Sequence, residues 1–281
     1  MHLFSGFGEN QNLNILEFLS PLTRKAMYNR LIYKIYEHML WNQIKNKKMP
    51  EHIGIILDGN RRWAYDHSLF PWDGHIFGAE KVEELLKWCL ELKIKAITLY
   101  VFSTENFQRS AEEINEIFNI TKDKLKKLLS DRSIHEKKVH IKAIGRINLL
   151  PSDLKEVILE AEETTKEYDE HYLNIAIAYG GRAEIVDATI RIAEEVKDGK
   201  ITPDQINEKT IESHLYTSHM PKFDPDLIIR TSGEERLSGF LLWQGAYSEL
   251  SFLDIYWPDF RKIDLWRAIR TYQGRSRRYG R

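Results

Sequence analysis

Asp58, Gly59, Asn60, Arg61, Arg62 and Trp63 follow directly on the apolar run Ile53 to Leu57. They put a carboxylate, a flexible glycine, an amide and two guanidinium groups where a buried strand should end and a helix should begin. In an open α/β sheet ligands bind at that place, because the helix N-terminus offers unpaired backbone N–H groups and the positive end of its dipole. Gly59 lets the backbone approach a phosphate, and Arg61 and Arg62 supply forked donors for its oxygens. Asp58 suits Mg²⁺, which takes one or two carboxylates and completes its shell with water and substrate phosphates. A carboxylate alone would repel a phosphate, so the combination implies a metal. In isolation the same residues also read as a helix cap followed by two solvated arginines.

Further polar clusters follow later apolar runs. Ser103, Thr104, Glu105 and Asn106, with Arg109 close behind, come after the second; Gly180, Gly181 and Arg182 after the fourth; Arg230 to Ser238 after the fifth. The glycine pair alone reads as a tight turn, and Ser103 and Asn106 as helix caps. The segment Arg230 to Ser238 is harder to explain structurally, since two arginines and several hydroxyls around a glycine suit a diphosphate. Glu249 is a candidate second metal ligand or a surface carboxylate. His75, between Gly74 and Gly78, is a candidate for phosphate contact or proton shuttling, with a structural role as the alternative.

Six short runs rich in β-branched and aliphatic residues predict the strands that must position these groups: His52 to Leu57, Ala96 to Phe102, Val139 to Ile144, Tyr172 to Ala178, Leu227 to Thr231 and Phe252 to Tyr256. Helical apolar spacing marks Ala79 to Leu92, Ala111 to Leu129, Pro151 to Tyr168, Ala183 to Val196 and Phe260 to Tyr272. The alternation predicts one α/β domain over residues 50–281, with a mostly parallel central sheet of about six strands flanked by helices. Residues 1–49 form a separate helical extension. There Met27, Leu31, Ile35 and Met39 recur every fourth position beside Tyr28, Ile32, Tyr36 and Leu40, with Arg24, Lys25, Arg30 and Lys34 elsewhere on the turn. Such an amphipathic helix docks on a domain or across a dimer, or lies on a membrane surface.

With 41 basic against 42 acidic residues the formal charge is −1. That argues against a generic polyanion binder, nucleic acid included, and confines phosphate chemistry to local clusters. One cysteine, Cys89, excludes an intrachain disulfide and a cysteine-built metal site. No stretch approaches the ~20 apolar residues needed to span a bilayer, and no signal-peptide pattern opens the chain. The expectation is a cytoplasmic protein, with peripheral membrane contact as the further reading of the first 49 residues. A nucleotide-binding protein is disfavoured, as neither a Walker loop nor Gly-x-Gly-x-x-Gly is present where it would be needed.

From Met49 to Gly280 the chain resembles the cis-prenyltransferases, the undecaprenyl and dehydrodolichyl diphosphate synthase family, in its archaeal- or eukaryotic-like form. The resemblance is carried by Asp58-Gly-Asn-Arg-Arg-Trp-Ala64, Gly74-His-x-x-Gly78, Thr98 to Phe107, Asn174 with Tyr179-Gly-Gly-Arg182, Asp226 to Glu234, Phe240 to Gln244, Tyr247-Ser-Glu-Leu250 and Trp257-Pro-Asp-Phe260. It implies a dimer, homomeric or heteromeric, that adds isopentenyl diphosphate to an allylic prenyl diphosphate and builds a Z-configured chain in an apolar tunnel. Asp58 would bind Mg²⁺ with help from Glu249. Gly59, Asn60, Arg61, Arg62, Trp63, His75 and Arg109 would hold the allylic diphosphate. Arg230, Arg236 and Ser238, with the terminal Arg278 and Gly280, would hold isopentenyl diphosphate. Asn60, Ser103 and Asn106 would lie near the proton that is removed. Leu85, Leu86, Ile114, Ile117 and Phe118 are candidate tunnel walls that read equally as core.

Four positions depart from the family pattern. Phe107 stands where bacterial members often carry tryptophan, Pro71 where many place an arginine on the allylic diphosphate, and Glu235 where bacteria carry a histidine. The fourth, Arg61, replaces the glycine of many bacterial members, resembles the eukaryotic and archaeal form, and is the candidate to grip the allylic diphosphate in place of the arginine absent at Pro71. Short-chain or irregular condensation on the same fold is therefore an alternative to chain elongation. A non-catalytic subunit of a heteromeric synthase is a further one, disfavoured because both the aspartate loop and the terminal Arg-x-Gly are retained.

Overall fold

The computed structural model describes residues 21–221 and 224–275, with side chains from Leu31 onward. The chain divides into two compact units, Met1–Asn46 and Lys47–Arg281. In the first, α1 spans Pro21–Ile44. Leu31, Ile35 and Met39 of its apolar stripe are exposed, while Arg24, Lys25, Met27, Tyr28 and Arg30 lie outside the described side chains. No helix of the described residues is long and apolar enough to cross a membrane.

The second unit is built on strands β1 (His52–Ile56), β2 (Ala96–Ser103), β3 (Val139–Ile144), β4 (His171–Tyr179), β5 (Leu227–Arg230) and β6 (Glu249–Phe252). Their order is β3-β4-β2-β1-β5-β6, and every pairing is parallel. All residues of β1 and β5 are buried, which is why these strands read as unbroken apolar runs: helices cover both faces of a parallel sheet. The covering helices are α3 (Pro71–Glu91), α4 (Ala111–Ser130), α6 (Ser152–Thr165), α7 (Gly181–Lys197) and α9 (Lys262–Gly274), with short α2 (Asn60–Asp66), α5 (Arg132–Glu136) and α8 (Glu208–Glu212) between them.

Two expected boundaries are corrected. The last strand is Glu249–Phe252 and not Phe252 to Tyr256. Leu253 N–H closes the pairing on the Arg230 carbonyl at 2.8 Å, and the Leu253 and Ile255 carbonyls then accept from Gly233 and Ser232, so this stretch clamps the loop after β5. Helix α3 starts at Pro71 and not Ala79. Proline is preset for the first helical position, and the Asp73 carboxylate accepts from the Phe70 N–H at 3.0 Å.

Helices α2 and α3 meet backbone to backbone. A Cβ on Gly74 would lie 2.1 Å from the Asn60 carbonyl oxygen, and one on Gly78 would lie 2.3 Å from Asn60 Oδ1. Trp63 seals the contact, stacked on His67 with ring centroids 4.2 Å apart and tilted against Phe77 at 4.8 Å. The two glycines that flank the His75 segment are thus required for packing. Gly74→Ala should cost about 1–3 kcal/mol, as overpacking does, read as a lower urea midpoint at unchanged slope. The same change at exposed Val186 should leave the midpoint in place; equal midpoints for both variants would refute the close-contact account.

Candidate active site

The order of the strands places β1 between β2 and β5, the neighbours to which the chain departs and returns on opposite sides. A crevice opens at the carboxyl ends of strands where the order reverses in this way. Here it is a cavity of about 940 Å³, at the upper end of the roughly 300–1,000 Å³ typical of small-molecule pockets. Its mouth is polar, with Asp58, Arg62, His75, Arg109, Arg230 and Ser238 around it. Its interior is lined by aliphatic side chains of β1, β2, β4, α3 and α4, among them Ile56, Leu99, Ile117 and Ile175. Such a space receives a molecule with an anionic head and a long hydrocarbon tail.

The register of β5 sets Arg230 beside Ile56, two residues before Asp58. Arg230 Nη2 donates to Asp58 Oδ2 at 2.7 Å. Its Nη1 donates to the Arg236 carbonyl at 2.5 Å and to Ser238 Oγ at 2.9 Å. The Thr231 hydroxyl accepts from Asp58 N–H at 3.1 Å and donates to the Asp58 carbonyl at 2.7 Å, and Trp257 N–H donates to the same carbonyl at 3.0 Å. Trp257 Nε1 also reaches the Gly78 carbonyl at 2.7 Å, so one buried indole ties the aspartate loop to α3. Gly59 has φ +102°, and a Cβ there would lie 2.8 Å from the Tyr256 ring; both the turn and the packing demand glycine. Arg62 Nη2 donates to Ser232 Oγ at 2.6 Å and lies 3.4 Å from Asp58 Oδ1. Burial pulls the Asp58 carboxyl upward, yet the bond and charge of Arg230, the Ser232 bond and the Arg62 charge outweigh it and hold it below the ordinary carboxylate range. It is an anion at neutral pH.

Across the mouth stands a second centre that the sequence reading does not include. Glu113, in the first turn of α4, is buried. Its Oε1 lies 3.0 Å from His75 Nε2, 2.9 Å from Arg109 Nη1 and 3.8 Å from Arg61 Nε. Burial raises its carboxyl, but His75, Arg109 and Arg61 together lower it below its usual value. One carboxylate thus collects two guanidinium groups and an imidazole from three segments and aims a surplus of positive charge at the opening. The available signal was Ser110-x-x-Glu113, which is a helix-capping pattern; Ser110 Oγ does accept from Glu113 N–H at 3.3 Å.

Of the residues expected in the site, Asp58, Asn60, Arg62, His75, Ser103, Asn106, Arg109, Arg230, Arg236 and Ser238 line the cavity together. Asn60 Oδ1 is buried there without a hydrogen-bond donor, and Asn106 Oδ1 accepts from Ser103 N–H at 2.9 Å. Trp63 does not join them, because its ring is spent on the α2–α3 contact. Glu249 is not brought to Asp58 either. It pairs with Leu227 at the opposite end of β5 and bonds Arg275 at 2.5 Å. Arg278 and Gly280 lie outside the described residues. Glu235 is exposed, and Pro71 begins α3. Among the expected walls Leu86 and Ile117 line the cavity, whereas Leu85 and Phe118 pack in the core and Ile114 is half-buried off the lining. No cluster of three or more His, Cys, Asp or Glu capable of holding a metal occurs among the described residues. A divalent cation at Asp58 would have that single carboxylate as its protein ligand there, which fits Mg²⁺ when substrate phosphates fill the rest of its shell.

The model of the prenyltransferase family of undecaprenyl diphosphate synthases matches residues 56–280. A tritrans,polycis-undecaprenyl-diphosphate synthase (geranylgeranyl-diphosphate specific) from Methanopyrus kandleri is 52% identical over 250 residues, covering 89% of this chain and 92% of that protein. The protein of the same description from Methanocaldococcus jannaschii is 51% identical, covering 90% of each. Among solved structures, lavandulyl diphosphate synthase from Lavandula x intermedia in complex with dimethylallyl diphosphate superposes with a TM-score of 0.79 at 35% identity, covering 83% of this chain and 99% of that one. Family match, identity and fold agree with the site's geometry: the chain belongs to the cis-prenyltransferases, the family of the undecaprenyl diphosphate synthases.

Proposed function

We propose that the protein adds isopentenyl diphosphate to an allylic prenyl diphosphate and elongates it to a Z-polyprenyl diphosphate. The observation that carries the reading is the cavity, whose arginine-rich mouth and largely aliphatic interior match a diphosphate head and a growing hydrocarbon tail. The relatives from Methanopyrus kandleri and Methanocaldococcus jannaschii are described as geranylgeranyl-diphosphate specific, which supports geranylgeranyl diphosphate as the primer. Dimeric assembly belongs to the same reading and rests on the family likeness.

The allylic diphosphate lies over the first turn of α2, whose N–H groups lack helical partners, between Arg62 and the Glu113 cluster. Arg61 supplies there the guanidinium that Pro71 does not. Isopentenyl diphosphate takes Arg230, Arg236 and Ser238. An arriving diphosphate competes with Asp58 for Arg230, so filling that subsite loosens their ion pair. The allylic C–O bond breaks with its electron pair leaving on the diphosphate, and fixed donors stabilise that charge without reorganising. The double bond of isopentenyl diphosphate then attacks the allylic carbon, and a proton departs beside Asn60, Ser103 and Asn106. Mg²⁺, held by Asp58 and diphosphate oxygens, would supply further positive charge to the leaving group.

Purified protein given Mg²⁺, labelled isopentenyl diphosphate and geranylgeranyl diphosphate should form Z-linked polyprenyl diphosphates, sized by mass spectrometry and assigned by NMR. A chelator should stop the reaction and Mg²⁺ restore it. Asp58→Asn should lower kcat by about 10²–10³-fold, the usual effect of removing one charge-stabilising group; unchanged turnover in that variant would sink the assignment. Glu113→Gln should raise KM for the allylic substrate more than it lowers kcat, because it releases Arg109, His75 and Arg61 without removing them. Since the Glu113 carboxyl lies lower in the folded chain than its ordinary ~4.3, its stabilisation is complete above that value and lost as pH falls through the depressed one. The variant should show a shallower loss of Tm in this acid range than the parent, and parallel curves would contradict the hub.

A further inference from the structure

Below the mouth, α3 and α4 run side by side and contribute aliphatic side chains to the cavity, except at one level. There Glu83 of α3 and Lys124 of α4, both lining residues, bond through Glu83 Oε1 and Lys124 Nζ at 2.6 Å. Glu83 Oε2 holds Lys127 Nζ at 2.6 Å. Lys127 does not line the cavity, and its side chain is 65% exposed against 28% for Lys124. One carboxylate therefore joins an inward lysine to an outward one, across the seam between the two helices. Burial raises the Glu83 carboxyl, but both lysines outweigh it and hold it ionised.

The level of this bridge is set by the helices themselves. Glu83 follows His75 by eight residues and Lys124 follows Glu113 by eleven, so at 1.5 Å per residue the bridge lies about 12–16 Å below the cationic mouth. The cavity continues past it to Leu86 and Leu128. A tail that grows from the mouth must pass this level. It either stays inside, along Val82, Leu86 and Leu125, or pushes outward between α3 and α4. The outward route requires hydrocarbon between three charged groups, separating them and stripping their water, and an ion pair resists that where an aliphatic contact would not.

We propose that Glu83, with Lys124 and Lys127, is a latch across the α3–α4 seam that confines the growing chain and thereby limits product length. The proposal rests on the elongation reading given above. Its test uses the full-length protein with geranylgeranyl diphosphate and excess isopentenyl diphosphate, and reads the distribution of product lengths by mass spectrometry beside the rate of the first condensation. Glu83→Gln, which keeps shape and removes charge, should lengthen the principal product by at least one isoprene unit while the first condensation still takes place. Lys124→Met should lengthen it likewise. The reversed set Glu83→Lys, Lys124→Glu, Lys127→Glu should bring the length back to that of the parent. An unchanged distribution in both single variants overturns the latch, as does a reversed set that stays as long as Glu83→Gln, since wall volume and not charge would then be responsible. Absence of any elongation by the parent protein overturns the underlying reading, and is distinguishable because no variant need be made to see it.

Discussion

The ion pair between Asp58 and Arg230 is the constraint around which the rest of the site is arranged. Arg230 is the last residue of a strand buried on both faces, and its side chain is 5% exposed. A guanidinium so placed is strongly destabilising unless it is paired. Asp58 provides the countercharge, and the Arg236 carbonyl and Ser238 hydroxyl take further donors. Each partner therefore fixes the other's loop. The loops proposed to receive two diphosphates are held in place by interactions that those diphosphates can replace.

Around that pair, close packing sets the distances. Two glycines let α3 touch the turn that carries Asn60, and Trp257 bonds both the Asp58 carbonyl and the Gly78 carbonyl. The aspartate loop, α2 and α3 thus behave as one block. Glu113 fastens the far side in the same manner, collecting two guanidinium groups, whose mutual repulsion would otherwise spread them, and the His75 imidazole. On each side one carboxylate faces two guanidinium groups, and the surplus positive charge draws anions toward the opening.

The sequence made the first five strands and the loops after them legible, because a parallel sheet buried on both faces leaves continuous apolar runs, and function gathers at their carboxyl ends. It misled where one residue pattern serves two purposes. Gly74 and Gly78 flank the candidate His75 but serve the contact between helices, and Trp63 stands inside a binding motif while its ring fills a gap between helices. Glu113 was hidden because Ser-x-x-Glu is an ordinary cap, and only the fold shows what its carboxylate collects. The sixth strand could not be bounded from periodicity, since its end is set by hydrogen bonds to a loop about twenty residues earlier. Glu249, read as lying in a polar break, begins that strand and pairs with Leu227.

A sheet in which every pairing is parallel also has a consequence for how the molecule comes into being. No strand can pair with its successor through a tight turn, because parallel neighbours require a crossover. Asp58 and Arg230 are 172 residues apart in the chain, and β1 finds its β5 neighbour only after most of the polypeptide exists. Contacts of such sequence separation form slowly, as the loop entropy must be lost before they are gained. During synthesis the aspartate loop accordingly waits without its arginine while β2, β3 and β4 emerge. The two halves of the site then join in one late closure, so a chain cut short before β5 retains most of the sheet's strands and none of the pairing on which its chemistry depends.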